Sequence, residues 1–92
     1  MDAYGKLTRA ISGTGLQAHH LLERRFAGVL GEEYRQMLSM ALTKADHHVF
    51  TKEWRQLIPY GAGTSAATAD LVRATATKIY ANHPGILRAL GL

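Results

Sequence analysis

No cysteine occurs in the chain, and in a sequence of only 92 residues that absence removes most of the devices that hold a small domain together. Disulfide frameworks, zinc ribbons and thiol chemistry are excluded, and any metal has to sit on His, Asp, Glu or a hydroxyl oxygen. A chain of this length supports a single domain, 1–92, around one modest core. Such a domain buries only a little over half of the surface of its unfolded chain, so a bound metal or partner would add usefully to its stability.

Local signals divide the chain into three stretches. Residues 1–15 are polar and glycine-rich up to Ser12-Gly13-Thr14-Gly15, which reads as a flexible lead-in ending in a turn. Residues 16–61 begin with a short mixed run, Leu16 to Leu21, read as extended chain although a helix start fits nearly as well. Leu22, Phe26, Val29 and Leu30 then fall on one face of a helix closed by Gly31. Tyr34, Met37, Leu38 and Ala41 suit a further helix, although its later half could be extended.

The clearest element follows. Thr43-Lys44-Ala45-Asp46 has the form of a capping box, with a threonine at the N-cap and an acid three residues on. It predicts a helix from Lys44 to about Leu57, because Ile58 precedes Pro59 and residues before proline avoid the helical region. Residues 62–92 are read as C-terminal helices. One is capped by Thr64 or Ser65 with a buried stripe of Leu71, Val72, Thr75, Ile79 and Tyr80, and a last short one starts at Pro84 and packs through Ile86, Leu87 and Leu90.

Eleven Lys and Arg against seven acids give a net charge of +4 and a pI near 9.8. That balance favours encounter with nucleic acid or with an acidic partner protein, although a merely solvated surface has the same composition. No apolar run reaches the length of a membrane span, and Met1-Asp2-Ala3-Tyr4 does not open a signal peptide. The chain is therefore expected neither to span a membrane nor to export itself; if it is secreted, another part of a longer protein carries it.

Four of the five histidines form two adjacent pairs, His19-His20 and His47-His48, with 26 residues between them. At about 100° per residue, His47, Phe50, Thr51, Trp54, Leu57 and Ile58 share one helix sector of roughly 120° and face inward, whereas His48 lies with Lys52 and Arg55 on a basic face. An inward imidazole needs a partner, either an ordinary hydrogen bond or a metal. In extended chain, His19 and His20 project to opposite sides, so that one can hold a metal while the other faces a substrate. The alternative is that the pairs are solvated polar patches.

Ala18-His19-His20-Leu21-Leu22-Glu23-Arg24-Arg25-Phe26, then Leu42-Thr43-Lys44-Ala45-Asp46-His47-His48-Val49-Phe50-Thr51, then Trp54-Arg55 and Ile58-Pro59-Tyr60-Gly61, resemble the HNH/endonuclease VII (His-Me finger) superfamily. More narrowly they are similar to toxin domains with an Ala-His-His or Leu-His-His signature, found at the C-terminal ends of polymorphic bacterial toxins. The resemblance covers about residues 15–61. It implies an α+β, mostly helical fold in which a small ββα-metal motif is joined by additional packing helices. It also implies a metal-dependent DNA endonuclease, secreted or translocated as part of a larger carrier polypeptide on the N-terminal side, acting in the target-cell cytoplasm and held in check by an acidic immunity protein.

Carried over residue by residue, the resemblance makes His20 the general base and His19 and His47 the metal ligands. Asp46, His48 or Thr51 would be additional site residues, and Arg24, Arg25, Lys52 and Arg55 phosphate-binding candidates. The implied cofactor is a divalent ion, Mg2+ first and Mn2+, Ni2+ or Zn2+ after it. Two departures stand out. No asparagine lies between His20 and His47, so Ser39 or Thr43 would have to steady the loop, and Thr51 occupies the position four residues after His47 where some relatives place another histidine. A site with two histidine ligands, or with Asp46 or His48 joining them, binds metal loosely and favours Mg2+-type chemistry over firmly held Zn2+. Two other functions compete: a non-catalytic basic helical module that binds nucleic acid or protein, and a metal-independent ribonuclease using His20 with His47 or His48 as base and acid.

Overall fold

Three short strands pair antiparallel in the computed structural model, which describes residues 1–92: β1 (Asp2–Ala3), β2 (Gln17–His20) and β3 (Leu38–Leu42), in the order β1-β3-β2. β3 is the middle strand because it alone has both ladders to satisfy. His19 lies opposite Met40 and His20 opposite Ser39 on one side, while Asp2 pairs with Ser39 and Ala3 with Leu38 on the other. Helices complete an α+β domain: α1 (Tyr4–Ala10), α2 (Ala27–Leu30), α3 (Lys44–Leu57), α4 (Ala62–Ala66), α5 (Ala69–Ile79) and α6 (Pro84–Leu90), with a 3-10 turn at Arg24–Phe26. None is long and apolar enough to cross a membrane.

Successive side chains of a strand point to opposite faces, and the sheet is covered on both. α3 and α5 lie over the face that carries Gln17 and His19, and α1 lies over the face that carries His20. The main core forms between the first face and the C-terminal helices, from Leu21, Phe26, Trp54, Ile58, Val72, Ala76, Ile79, Tyr80 and Ile86. Trp54 and Tyr80, its two largest members, are wholly buried.

α3 starts and stops where its local chemistry directs. Thr43 Oγ1 accepts a hydrogen bond from the Asp46 backbone N–H at 3.2 Å, and Ile58 before the proline is extended. The threonine half of the capping box forms; no backbone N–H donates to the Asp46 carboxylate to complete it.

Several expectations are corrected. The lead-in is ordered over Asp2–Ala10, because the Tyr4 and Gly5 backbone N–H groups donate to the Met37 and Arg35 carbonyls and fasten it to the approach to β3. The helix expected from Leu22 shrinks to a 3-10 turn and the single turn α2, closed by Gly31 at φ +68° as the glycine predicted. Tyr34–Met37 is a turn, not a helix, and the following residues extend into β3, where a strand recovers the ladder bonds that an isolated short helix would lack. The helix expected at Thr64 is interrupted at Ala67. Thr68 then caps α5 by accepting from the Leu71 N–H. That phase turns Leu71 outward and puts Ala76 into the stripe, and Leu57, at the end of α3, is likewise half-exposed.

Candidate functional site

β2 is an edge strand, and beyond its C-terminal end a pocket of about 230 Å3 is lined by His19, His20, Glu23, Arg24, His47, Thr51 and Tyr60. The two histidines of the strand reach it from opposite faces of the sheet. His47 and Thr51, one helical turn apart on α3, close the far side.

Each imidazole has one ring nitrogen fixed by a bond whose direction is determined. The Tyr80 hydroxyl donates its single proton to the Leu21 carbonyl at 2.6 Å, so it accepts from the Trp54 indole N–H at 3.3 Å and from His19 Nε2 at 2.8 Å. His19 is therefore protonated on Nε2, and its Nδ1 carries a bare lone pair. His20 donates from Nε2 to the Tyr34 carbonyl at 3.0 Å, which likewise leaves its Nδ1 bare. His47 donates from Nδ1 to Gln17 Oε1 at 2.6 Å, leaving Nε2. No fully buried side-chain nitrogen lacks a partner, so the bare nitrogens of His19 and His20 are not sealed from solvent, and both residues line the pocket.

Electrostatics keep these rings neutral. Burial, reinforced by the neighbouring His47 and His20, holds the His19 pKa down at about 3. Burial also lowers His20, against the opposing pull of its bond to the Tyr34 carbonyl, and lowers His47 with help from His48. Neutral imidazoles with exposed lone pairs can ligate a metal or accept a proton.

Ring centroids of His19 and His47 are 5.1 Å apart. Two imidazoles sharing a tetrahedral ion at about 2.1 Å would have centroids separated by about 5 Å. The pair thus fits a shared ion in spacing and donor type, and the Tyr80 and Gln17 bonds are of the kind that orient ligand imidazoles from behind. The set stops at two: no group of three His, Cys, Asp or Glu side chains gathers anywhere in the fold. Glu23 lines the pocket, but its carboxylate is paired with Arg25 at 2.8 Å in a nearly buried contact, and burial raises its pKa against that pairing.

The remaining sequence candidates divide. Thr51 lines the pocket, and Arg24 does so with its guanidinium 3.9 Å from the Tyr34 ring centre. Arg55 is exposed and lies over the ring of Tyr60 at the pocket wall, 4.9 Å from its centre. Asp46 faces a different cavity, beside Met40, Phe50 and His83, and the exposed His48 and Lys52 do not line the histidine pocket. Ser39, opposite His20 in the ladder, donates to the Met37 carbonyl and Thr43 is occupied as the α3 cap, so neither hydrogen-bonds a histidine side chain as a substitute for the missing asparagine.

Arg25 is not available for phosphate. Its guanidinium donates to Glu23, to Thr64 and to the Trp54, Ile58 and Pro59 carbonyls, clamping the end of α3 to the chain after β2.

Sequence reasoning missed the supporting residues. Gln17 was within its reach, since residues two apart in a strand share a face and Gln17 stands beside His19 in that pattern. Tyr80 carried no local signal for this role, being 61 positions from His19, and neither did Tyr4, whose ring stacks on His20 with centroids 4.1 Å apart. Compared with known protein families, with curated proteins and with solved structures, the chain matches none.

Proposed function

We propose that the chain is a divalent-metal-dependent nuclease domain of the His-Me finger kind, with β2, β3 and α3 as its ββα unit. The observation that carries the reading is the convergence of three neutral imidazoles, each with one nitrogen anchored and the other bare, beside Arg24 at a solvent-facing pocket. His19 through Nδ1 and His47 through Nε2 would hold the ion. When bound, the ion supplies charge stabilisation at the scissile phosphate and its leaving oxygen.

His20 acts as general base. Its Nδ1 takes a proton from water as the water oxygen attacks phosphorus, and the Nε2–H bond to the Tyr34 carbonyl orients the ring and stabilises the imidazolium that forms. Arg24 steadies a phosphate oxygen. Because both protein donors are imidazole nitrogens, the pair is better matched to Ni2+ or Zn2+ than to the Mg2+ placed first on sequence grounds. In this reading the domain is the toxin end of a larger secreted bacterial protein, acting on DNA in the target cell and neutralised by an acidic partner.

The test is cleavage of supercoiled plasmid with Mg2+, Mn2+, Ni2+ or Zn2+, in chelator, and by His20→Ala. Nicking that requires an ion and falls at least about a hundredfold in His20→Ala is expected. Supercoiled plasmid left intact with all four ions refutes the reading. The lack of a third ligand favours one alternative, a metal-free ribonuclease in which neutral His20 is the base and the fraction of His47 that is protonated on Nε2 the acid. That enzyme would cut RNA in chelator and leave plasmid whole.

A further inference from the structure

Behind the histidine pocket lies a larger cavity of about 740 Å3, in the size range of ligand sites, formed largely by the N-terminal segment. Lys6, Arg9 and Arg35 line it with Tyr4 and Tyr34, and no acidic residue does. All three cations are exposed. Lys6 has an exposed partner in Asp2 at 3.5 Å, a contact that water screens, and the Arg35 backbone N–H is bound by the nearby Glu33 carboxylate.

The two cavities share a wall. Tyr4 stacks on His20, and Tyr34, whose ring centre is 6.1 Å from that of Tyr4, carries the Arg24 guanidinium against its ring. Each contact joins a residue of the cleft to a residue of the histidine pocket. A chain whose phosphate sat beside His20 and Arg24 could therefore continue over the tyrosine wall into the cleft without a break.

We infer that this cleft is a binding site for single-stranded nucleic acid, taking the nucleotides that flank the phosphate at the histidines, with Lys6, Arg9 and Arg35 on the backbone and Tyr4 and Tyr34 as the aromatic surface for bases. A basic groove with interleaved aromatic rings is how unpaired strands are held, because every base has a face to stack. A cavity of this size admits one or two nucleotides. The inference rests on the proposed function for its direction, since that reading places a phosphate at His20, but binding in the cleft does not require cleavage.

The experiment uses the whole chain in chelator, with fluorescence anisotropy of a labelled twelve-nucleotide oligothymidylate and of a duplex of equal length. Wild type is compared with Lys6→Ala/Arg9→Ala/Arg35→Ala and with a control of equal charge loss, Arg73→Ala/Lys78→Ala/Arg88→Ala, on exposed positions of α5 and α6. Circular dichroism checks that each variant is folded. The cleft variant is expected to lose about tenfold or more in single-strand affinity relative to the control, and its log–log salt slope to fall by about 2, three contacts at about 0.7 each. A Tyr34→Leu variant, which keeps the charges, is expected to weaken single-strand binding and leave duplex binding unchanged. Equal losses in both triple variants, or equal losses for strand and duplex, overturn the inference. Plasmid cleavage by the same proteins separates the two readings. A cleft variant that loses strand binding beside an inactive wild type leaves the cleft standing and removes the nuclease. An active wild type whose cleft variant binds strand as well as it does removes the cleft alone.

Discussion

Replacing Tyr80 by Phe removes one oxygen from the centre of the fold, and the structure sets how much that should cost. The hydroxyl serves three buried groups at once: it accepts from His19 Nε2–H and Trp54 Nε1–H and donates to the Leu21 carbonyl. Leaving a buried polar group without a partner costs about 1–3 kcal/mol. His19 can shed its share by moving its proton to Nδ1, whereas the indole and the carbonyl cannot, so the expected loss is about 2–6 kcal/mol. For 92 residues the total stability should be about 5–14 kcal/mol, so the variant gives up a large part of it. Urea unfolding followed by the fluorescence of Trp54, the only tryptophan, measures the change, with the m-value unaltered. A loss below about 0.5 kcal/mol would refute the hydrogen-bond assignment. The same proton shift occupies the nitrogen proposed as a ligand, so metal affinity in Tyr80→Phe should fall about 10–100-fold even where the protein remains folded.

Arg25→Met should destabilise by about 2–4 kcal/mol, since it strands the nearly buried Glu23 carboxylate and the Ile58 carbonyl, while Arg24→Ala should leave stability nearly unchanged and reduce cleavage; unfolding curves and plasmid assays on the pair separate clamp from phosphate contact. In the metal-free protein, acid should weaken the fold from below pH 6.5. The folded His19 imidazole resists its proton down to about pH 3, so the unfolded state binds more protons across that window, and stability declines by about 1.4 kcal/mol per unit, or about 2 kcal/mol between pH 7 and 5 from this residue. His19→Gln should flatten the acid limb of urea midpoints measured against pH, and an unchanged limb would count against the buried neutral ring.

α3 was legible because its signals are local: a threonine cap, an inward face through Trp54, and a proline stop all lie within the stretch from Thr43 to Pro59. The stretch from Leu22 to Leu42 was not, since its apolar spacing suits a helix while the ladder bonds offered by β1 and β2 decide for a strand. Nothing in Asp2-Ala3 announces a strand either; two residues extend there because the edge of β3 was open. At the site, alternation along β2 correctly placed His19 and His20 on opposite faces, and helical phase brought His47 and Thr51 to the pocket. Helical phase also grouped His48 with Lys52 on the face away from it. The phosphate candidates fared less evenly, because a guanidinium looks the same in sequence whether it meets solvent, as Arg24 does in part, or closes a ring of carbonyls, as Arg25 does.

The tyrosine that fixes the tautomer of His19 comes from the last quarter of the chain. A fragment ending near Gly61 would contain every histidine of the pocket and still lack the hydroxyl that sets which nitrogen is bare. Synthesis runs from the N-terminus, so a nascent chain carries its chemical groups long before it can arrange them. The arrangement is complete only once the segment beginning at Ala69 is docked, and the C-terminal third is in that sense part of the candidate site's assembly and not its packaging.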